Sequence, residues 1–79
     1  MMHIKSTIVA DIRDIKHVPD LTIADDADLL GAAGFDSLEV IEFLARLERR
    51  FGLAFGGGAD DFAALRSLDS LTAWVHARV

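Results

Sequence analysis

The sequence predicts an all-α protein, a four-helix bundle with three longer helices and one short third helix. Hydrophobic residues make up 52% of the chain and proline occurs once, a composition typical of compact helical domains. Apolar residues recur at three- and four-residue steps in several segments, which is the period of an amphipathic helix. The 79 residues suffice for one small domain, which we expect to span residues 1–79.

The first predicted helix covers residues 2–16. Its apolar stripe consists of isoleucines spaced by four, four and three residues: Ile4, Ile8, Ile12 and Ile15. The charged residues fall mainly away from this stripe: Lys5, Asp11, Arg13, Asp14 and Lys16. Because Pro19 lacks the backbone N–H that a helix needs, we expect the helix to end near His17.

Residues 18–35 lose the helical period but keep apolar anchors: Leu21, Ile23, Leu29, Leu30 and Phe35. We expect a long loop pinned to the core, with room for a short helical turn at residues 27–30. The aspartates of this loop invite a calcium-site interpretation. A calcium loop starting at Asp26 would place Leu30 and Ser37 where oxygen ligands are required, so a solvated acidic loop is the better interpretation and no metal site is expected.

The second predicted helix covers residues 37–51 and has the strongest local signals. Asp36 can cap it, and Glu39 can reach back to the backbone N–H of Asp36, which forms a capping box. The apolar stripe comprises Val40, Leu44, Leu47 and Phe51, widened by Leu38, Ile41 and Phe43. The exposed stripe comprises Glu39, Glu42, Arg46, Arg49 and Arg50, with Glu42 and Arg46 spaced for an ion pair. Gly52 is a natural end for the helix.

Residues 53–58 form a connector that contains three consecutive glycines. No Gly-Lys-Ser/Thr follows and no strand precedes, so we interpret it as a linker rather than a phosphate-binding loop. A short third helix is predicted at residues 60–65, with Phe62 and Leu65 facing inward. The fourth begins near residues 67–69 and runs to the end, burying Leu68, Leu71, Trp74 or Val75, and Val79.

Composition and charge exclude several classes of function. The formal net charge is −5, which disfavours a nucleic-acid surface and favours basic protein partners. Cysteine is absent, so the chain has no disulfide, thiolate metal site or thiol nucleophile. No apolar run resembles a signal peptide or a membrane span, so we expect a cytoplasmic protein with no membrane partner.

The sequence does not support catalysis. No nucleophile elbow is present, and none of the three histidines stands in a metal-ligand pair four residues from another. A chain of this size has little room for a deep catalytic pocket beside its own core. We therefore expect a protein that is not an enzyme.

Ser37 lies where the entry turn meets the second helix. A hydroxyl at a helix N terminus is exposed by geometry, and the unpaired N–H groups and positive dipole end favour a phosphate ester there. From position alone, an ordinary serine in the first helical turn is the better interpretation.

The wider context favours the first interpretation. The stretch from Asp25 through Phe51, which contains Gly-Phe-Asp-Ser-Leu-Glu and a helix ending Glu-Arg-Arg-Phe, closely resembles the acyl carrier proteins. In that family an Asp-Ser-Leu motif opens the second helix of a four-helix bundle, and its serine carries a 4′-phosphopantetheine arm attached by a dedicated transferase. The resemblance covers nearly the whole chain. It implies that Ser37 is the attachment residue, with Asp36 and Leu38 completing the motif.

A second Asp-Ser-Leu occurs at residues 69–71. Ser70 lacks the Gly-Phe entry and the long pinned loop that precede Ser37. It stands where the family often has a cap for its last helix, so we assign Ser70 to capping.

The resemblance implies a discrete, monomeric carrier that holds an acyl or aminoacyl group as a thioester for fatty-acid, polyketide or related specialised biosynthesis. Its implied partners are a phosphopantetheinyl transferase, a loading ligase, and downstream transferases or synthases. An aminoacyl or peptidyl carrier of a nonribosomal-type or amino-acid-activating pathway is one alternative. An unmodified helical protein-interaction module is another, of a different class.

Two features depart from the family pattern. The second helix of fatty-acid carriers is predominantly acidic and meets basic partner patches, whereas here its second half carries three arginines: Arg46, Arg49 and Arg50. The exposed stripe of this helix is the expected partner surface, so we expect a specialised partner set. The connector is also richer in glycine than is usual in the family, which predicts a mobile third helix.

Overall fold

The computed structural model describes residues 3–56 and 58–79, apart from the side chain of Asp60. These residues form five α-helices and no β-strand. The helices are α1 Ile4–Lys16, α2 Leu29–Ala33, α3 Ser37–Phe51, α4 Ala59–Ala64 and α5 Leu68–His76. The prediction of an all-α bundle is confirmed, with one more short helix than expected. Met2 of the first predicted helix and Gly57 of the connector lie outside the described residues.

Helix α1 is the centre of the bundle, since it packs against both α3 and α5. Its four isoleucines are buried as the spacing predicts. The helix ends where expected, with His17 in the left-handed region at φ 57°. The expectation that Asp11 faces away from the core is wrong: its side chain is 2% exposed. It lies against α3 and is paired with Arg50 there.

Helix α2 lies later in the loop than the turn predicted at residues 27–30. It begins at Leu29, and Leu29 and Ala33, four residues apart, are both buried. The loop before it is pinned to the start of α5 through backbone bonds from Leu29 N to Arg66 O (3.1 Å) and from Asp69 N to Asp25 O (3.0 Å). The expected pinned loop is therefore present, but its helical part is shifted toward Ser37.

Helix α3 has the predicted bounds, although its apolar stripe is narrower than expected. Phe43 and Leu47 are fully buried, and the other members of the main stripe are half-buried: Val40, Leu44 and Phe51. The expectation that Leu38 and Ile41 widen the buried stripe is wrong, since they are 77% and 64% exposed. Both lie beyond the face of α3 that α1 covers.

Helices α4 and α5 bury most of the predicted residues. Both Trp74 and Val75 are buried, and Leu65 is buried beside Ala64. The expectation that Phe62 faces inward is wrong: its side chain is exposed, because Ala64, two residues on and so on the opposite side of the helix, is on the buried side. Val79 is also exposed rather than buried, because α5 ends at His76.

The connector is held by contacts from three directions despite its glycines. The ring of Phe55 stacks on Trp74 with centroids 4.3 Å apart, and its N–H donates to Glu48 Oε2 at 2.9 Å. The N–H of Gly56 donates to Asp61 Oδ2 at 2.6 Å. Contacts with α3, α4 and α5 therefore hold the connector in place where it enters α4.

Candidate functional site at the start of α3

Ser37 is the first residue of α3 and its side chain is exposed. The turn before it is made by Gly34, which ends α2 at φ 71°, a conformation that favours glycine. Phe35 then packs against Phe43 of the core, with ring centroids 5.3 Å apart. Within the part of the chain that the structure describes, the Ser37 hydroxyl neither donates nor accepts a hydrogen bond. The fold therefore presents this hydroxyl to solvent.

The capping box predicted for α3 is confirmed. Asp36 Oδ1 accepts from the N–H of Glu39 at 2.8 Å, and Glu39 Oε1 accepts from the N–H of Asp36 at 3.0 Å. The cap leaves the backbone N–H groups of Ser37 and Leu38 at the open end of the helix, where no intrahelical acceptor exists. These groups and the positive end of the helix dipole make the surroundings of Ser37 favourable for an anionic group.

A lysine from another helix reaches this turn. Lys16 Nζ donates to Gly34 O at 2.9 Å and lies 3.0 and 3.2 Å from the two carboxylate oxygens of Glu39. The N–H of Asp36, followed by Lys16, lowers the pKa of Glu39. Lys16 is not among the predicted site residues: its partners lie 18 and 23 residues away, so local spacing carries no signal for the contact.

Exposed apolar side chains flank Ser37. Leu38 and Ile41 lie three residues apart on the solvent side of α3, so they share one helix face. Phe62 of α4 is also exposed, at 62%. Large exposed side chains of this kind are often contact points for partner proteins.

A family model described as a phosphopantetheine attachment site matches residues 6–75. The chain belongs to this carrier-protein family. The resemblance to acyl carrier proteins is thereby confirmed, and the family carries a covalently attached 4′-phosphopantetheine group on a serine. No significant match to curated proteins or to solved structures was found.

Carrier proteins of this family interact with modifying and biosynthetic enzymes. Of the five residues predicted for the partner surface, three are exposed on α3: Glu42, Arg49 and Arg50. Four of the five form ion pairs within the carrier: Glu39 with Lys16, Arg46 with Asp14 and Glu42, and Arg50 with Asp11. The predicted Glu42–Arg46 pair is present at 3.4 Å, but Arg46 also bridges to α1. The arginines of α3 thus hold the carrier together as well as facing outward.

The second serine in an Asp-Ser-Leu sequence has a different environment. Ser70 is half-buried in the first turn of α5. Its hydroxyl donates to Ala64 O at 2.8 Å and accepts from the N–H of Ser67 at 3.0 Å. Ser67 is the N-cap, and Ser70 completes its capping box. The expected capping role of Ser70 is therefore present as the third residue of the box rather than as the cap itself.

Residues 3–56 and 58–79 contain neither a metal-binding cluster nor a membrane-spanning helix. Among them, no group of three or more histidine, cysteine, aspartate or glutamate side chains is arranged to hold a metal ion. None of the helices that these residues form combines the length and apolarity needed to cross a membrane.

Proposed function

We propose that Ser37 carries the 4′-phosphopantetheine arm of this carrier. The protein holds an acyl or aminoacyl group on that arm and delivers it to partner enzymes of fatty-acid, polyketide or related specialised biosynthesis. The observation that supports this most directly is the exposed hydroxyl of Ser37, which has no partner among the described residues, on a capped helix N terminus. The hydroxyl of Ser70, by contrast, is engaged by Ala64 and Ser67.

The residues around Ser37 fit such a group. Asp36 holds the first turn in shape through its bond to Glu39 and leaves the N–H groups of Ser37 and Leu38 open toward a phosphodiester. In the attachment step, Ser37 Oγ bonds to the pantetheine-side phosphorus of coenzyme A and the pyrophosphate P–O bond of coenzyme A breaks. Adenosine 3′,5′-bisphosphate leaves with the bridging oxygen, and the serine proton passes to a base of the transferase. When bound, the arm supplies a terminal thiol that carries cargo as a thioester, and the cysteine-free chain offers no competing thiol.

Partner recognition is assigned to the exposed face of α3. Leu38 and Ile41 supply apolar contact beside the attachment residue, and Glu42 and Arg49 supply charges of opposite sign farther along. The partners are a phosphopantetheinyl transferase, an acyl- or aminoacyl-loading ligase, and downstream transferases or synthases. The carrier itself performs no chemistry and acts as a single cytoplasmic domain and monomer. Its contribution is the effective concentration of a tethered intermediate at each partner.

The test is modification of the apo-protein by a phosphopantetheinyl transferase and coenzyme A, followed by intact-mass spectrometry. We expect one phosphopantetheine increment on the wild type and on Ser70→Ala, and none on Ser37→Ala. Peptide mapping should place the increment on Ser37. Labelling that persists in Ser37→Ala and disappears in Ser70→Ala would contradict the assignment. Absence of any increment after co-expression with transferases would favour an unmodified interaction module.

A further inference from the structure

Lys16 connects the end of α1 to both sides of the turn that presents Ser37. On the near side, its ammonium group binds Gly34 O, the carbonyl of the residue that ends α2. On the far side it binds the carboxylate of Glu39, the residue that closes the capping box of α3. An ammonium group has three N–H donors, and the three contacts of Lys16 lie between 2.9 and 3.2 Å.

These contacts are more sheltered than an ordinary surface ion pair. The side chains of Lys16 and Glu39 are 25% and 23% exposed. A partly buried, charge-assisted contact of this kind fixes geometry better than an exposed pair, which solvent and salt weaken. Ser37 lies between the two anchored residues in sequence, and the hydrogen bonds of Lys16 go to those two residues and not to the serine hydroxyl. Lys16 can therefore affect the position of the serine through the backbone of the turn and the cap.

We propose that Lys16 is a positioning residue for modification of Ser37. It holds Gly34 and Glu39 at a fixed separation, and thereby presents the serine hydroxyl and the open N–H groups in one arrangement to the modifying enzyme. This inference rests on the proposed function of Ser37. It adds a residue of α1, outside the Asp-Ser-Leu motif, to those that efficient modification of Ser37 requires.

Helix α1 offers a matched control. Lys5 also contacts two acidic groups, Asp25 at 3.1 Å and Asp69 at 2.9 Å, but near the start of α1. Its side chain is more exposed than that of Lys16, and its contacts pin the loop to α5 rather than the turn before α3. Lys16→Met and Lys5→Met remove the same charge from the same helix, so the net charge changes equally in the two variants.

The experiment measures steady-state transfer from coenzyme A to the apo forms of wild type, Lys16→Met, Lys16→Arg and Lys5→Met. We expect Lys16→Met to lower kcat about tenfold, since misplacing a reacting group by about 1 Å can cost on the order of a hundredfold. KM should stay within about twofold, because the effect falls on the reacting arrangement rather than on binding. Lys16→Arg should recover much of the rate, and Lys5→Met should match the wild type.

A second readout uses the free protein. Amide chemical shifts of Asp36 and Glu39 should move in Lys16→Met and stay near wild type in Lys5→Met. Only the first variant removes the contact that holds the carboxylate of Glu39, the residue that closes the capping box. If Lys16→Met does not fold, Glu39→Gln replaces it, since this change weakens the same contact from the other side. That variant should also lower kcat.

The outcomes separate this inference from the proposed function. Wild type that is modified on Ser37, with equal kcat for Lys16→Met and Lys5→Met, overturns the inference alone. A loss confined to KM also overturns it, because that result marks Lys16 as a contact for the transferase. Wild type that is never modified on Ser37 overturns the proposed function and this inference with it.

Discussion

Arg50 of α3 binds the buried carboxylate of Asp11 in α1 through two parallel hydrogen bonds. Nε lies 3.0 Å from Oδ2, and Nη2 lies 2.7 Å from Oδ1. The side chain of Asp11 is 2% exposed, whereas that of Arg50 is 50% exposed. Asp11 raises the pKa of Arg50, and the guanidinium matches the carboxylate in geometry as well as charge. Arg50 therefore joins two helices of the core.

This pairing predicts a large effect of removing the arginine. Arg50→Met leaves the carboxylate of Asp11 buried without its counter-charge, and breaking such a pair from one side costs about 3 kcal/mol or more. We expect the free energy of unfolding to fall by about that amount, measured by urea denaturation monitored by circular dichroism. The double variant Asp11→Leu/Arg50→Met should recover much of the loss, because it removes both charges together.

The neighbouring arginine supplies the control. Arg49 is exposed and makes no ion pair with any residue of the described chain. Arg49→Met should change the free energy of unfolding by no more than about 0.5 kcal/mol. Equal losses for the two variants would show that the Asp11 contact does not stabilise the bundle.

The different environments of Ser37 and Ser70 predict different effects of an alanine substitution on stability. Ser70→Ala removes the half of the α5 capping box in which the Ser70 hydroxyl accepts from the N–H of Ser67, and also the bond to Ala64 O. Loss of a cap typically costs about 1 kcal/mol, and we expect a decrease of that order in urea denaturation. Ser37→Ala removes a hydroxyl without a described partner, so its stability should stay within about 0.5 kcal/mol of wild type. A Ser37→Ala protein less stable than Ser70→Ala would contradict the hydrogen bonding described for the two hydroxyls.

Features encoded locally could be predicted from the sequence. The capping box of α3 is specified by Asp36 and Glu39, three residues apart, and its bounds follow from that box and from Gly52. The burial of the α1 isoleucines follows from spacing alone. The exposure of Ser37 follows from its place at the helix start. These signals span at most a few turns of one helix.

Features that depend on contacts between distant segments could not be predicted. Asp11 and Arg50 are 39 residues apart, and a polar residue beside an apolar stripe gives no sign that an arginine on another helix will bury it. Lys16 is missed for the same reason. Phe62 was predicted to face inward together with Leu65, but whether a short helix buries a given face depends on how its end packs against α5.

A third prediction concerns the pKa of Glu39 and the stability that the fold loses when Glu39 is protonated. The N–H of Asp36 and Lys16 Nζ favour the ionised carboxylate, which lowers the pKa of Glu39 below its ordinary value of 4.5. A lowered pKa in the folded state means that the ionised group stabilises the fold above pH 4.5, and that this contribution is lost as pH falls through the folded pKa.

The pKa can be measured directly by following the side-chain carboxyl carbon of Glu39 by NMR. We expect a midpoint below 4.5 in the wild type and a higher midpoint in Lys16→Met, since the hydrogen bond and the charge of Lys16 are removed. Stability of the wild type should fall more steeply than that of Glu39→Gln as the solution is acidified below this range. A wild-type midpoint at or above the ordinary value would contradict the described contacts.

Helix α4 is predicted to exchange its amide hydrogens faster than α3. It has six residues, its N-cap Gly58 provides no side-chain bond, and Phe62 faces solvent. Helix α3 has fifteen residues and a complete capping box. A hydrogen bond from the N–H of Phe55 in the connector to Glu48 of α3 holds the entry to α4. Helix α4 itself is short and has few internal hydrogen bonds.

Hydrogen exchange measured by mass spectrometry tests this difference. Peptides covering residues 60–65 should lose protection well before those covering residues 40–47, because local opening of a short helix costs less than opening of the core. Phe55→Ala should widen the gap, since it removes the stack on Trp74, and the fluorescence of this single tryptophan should shift to longer wavelength. Equal protection of the two segments would mean that α4 opens only with the whole bundle, and the expectation of a mobile third helix in the predicted four-helix order would then be wrong.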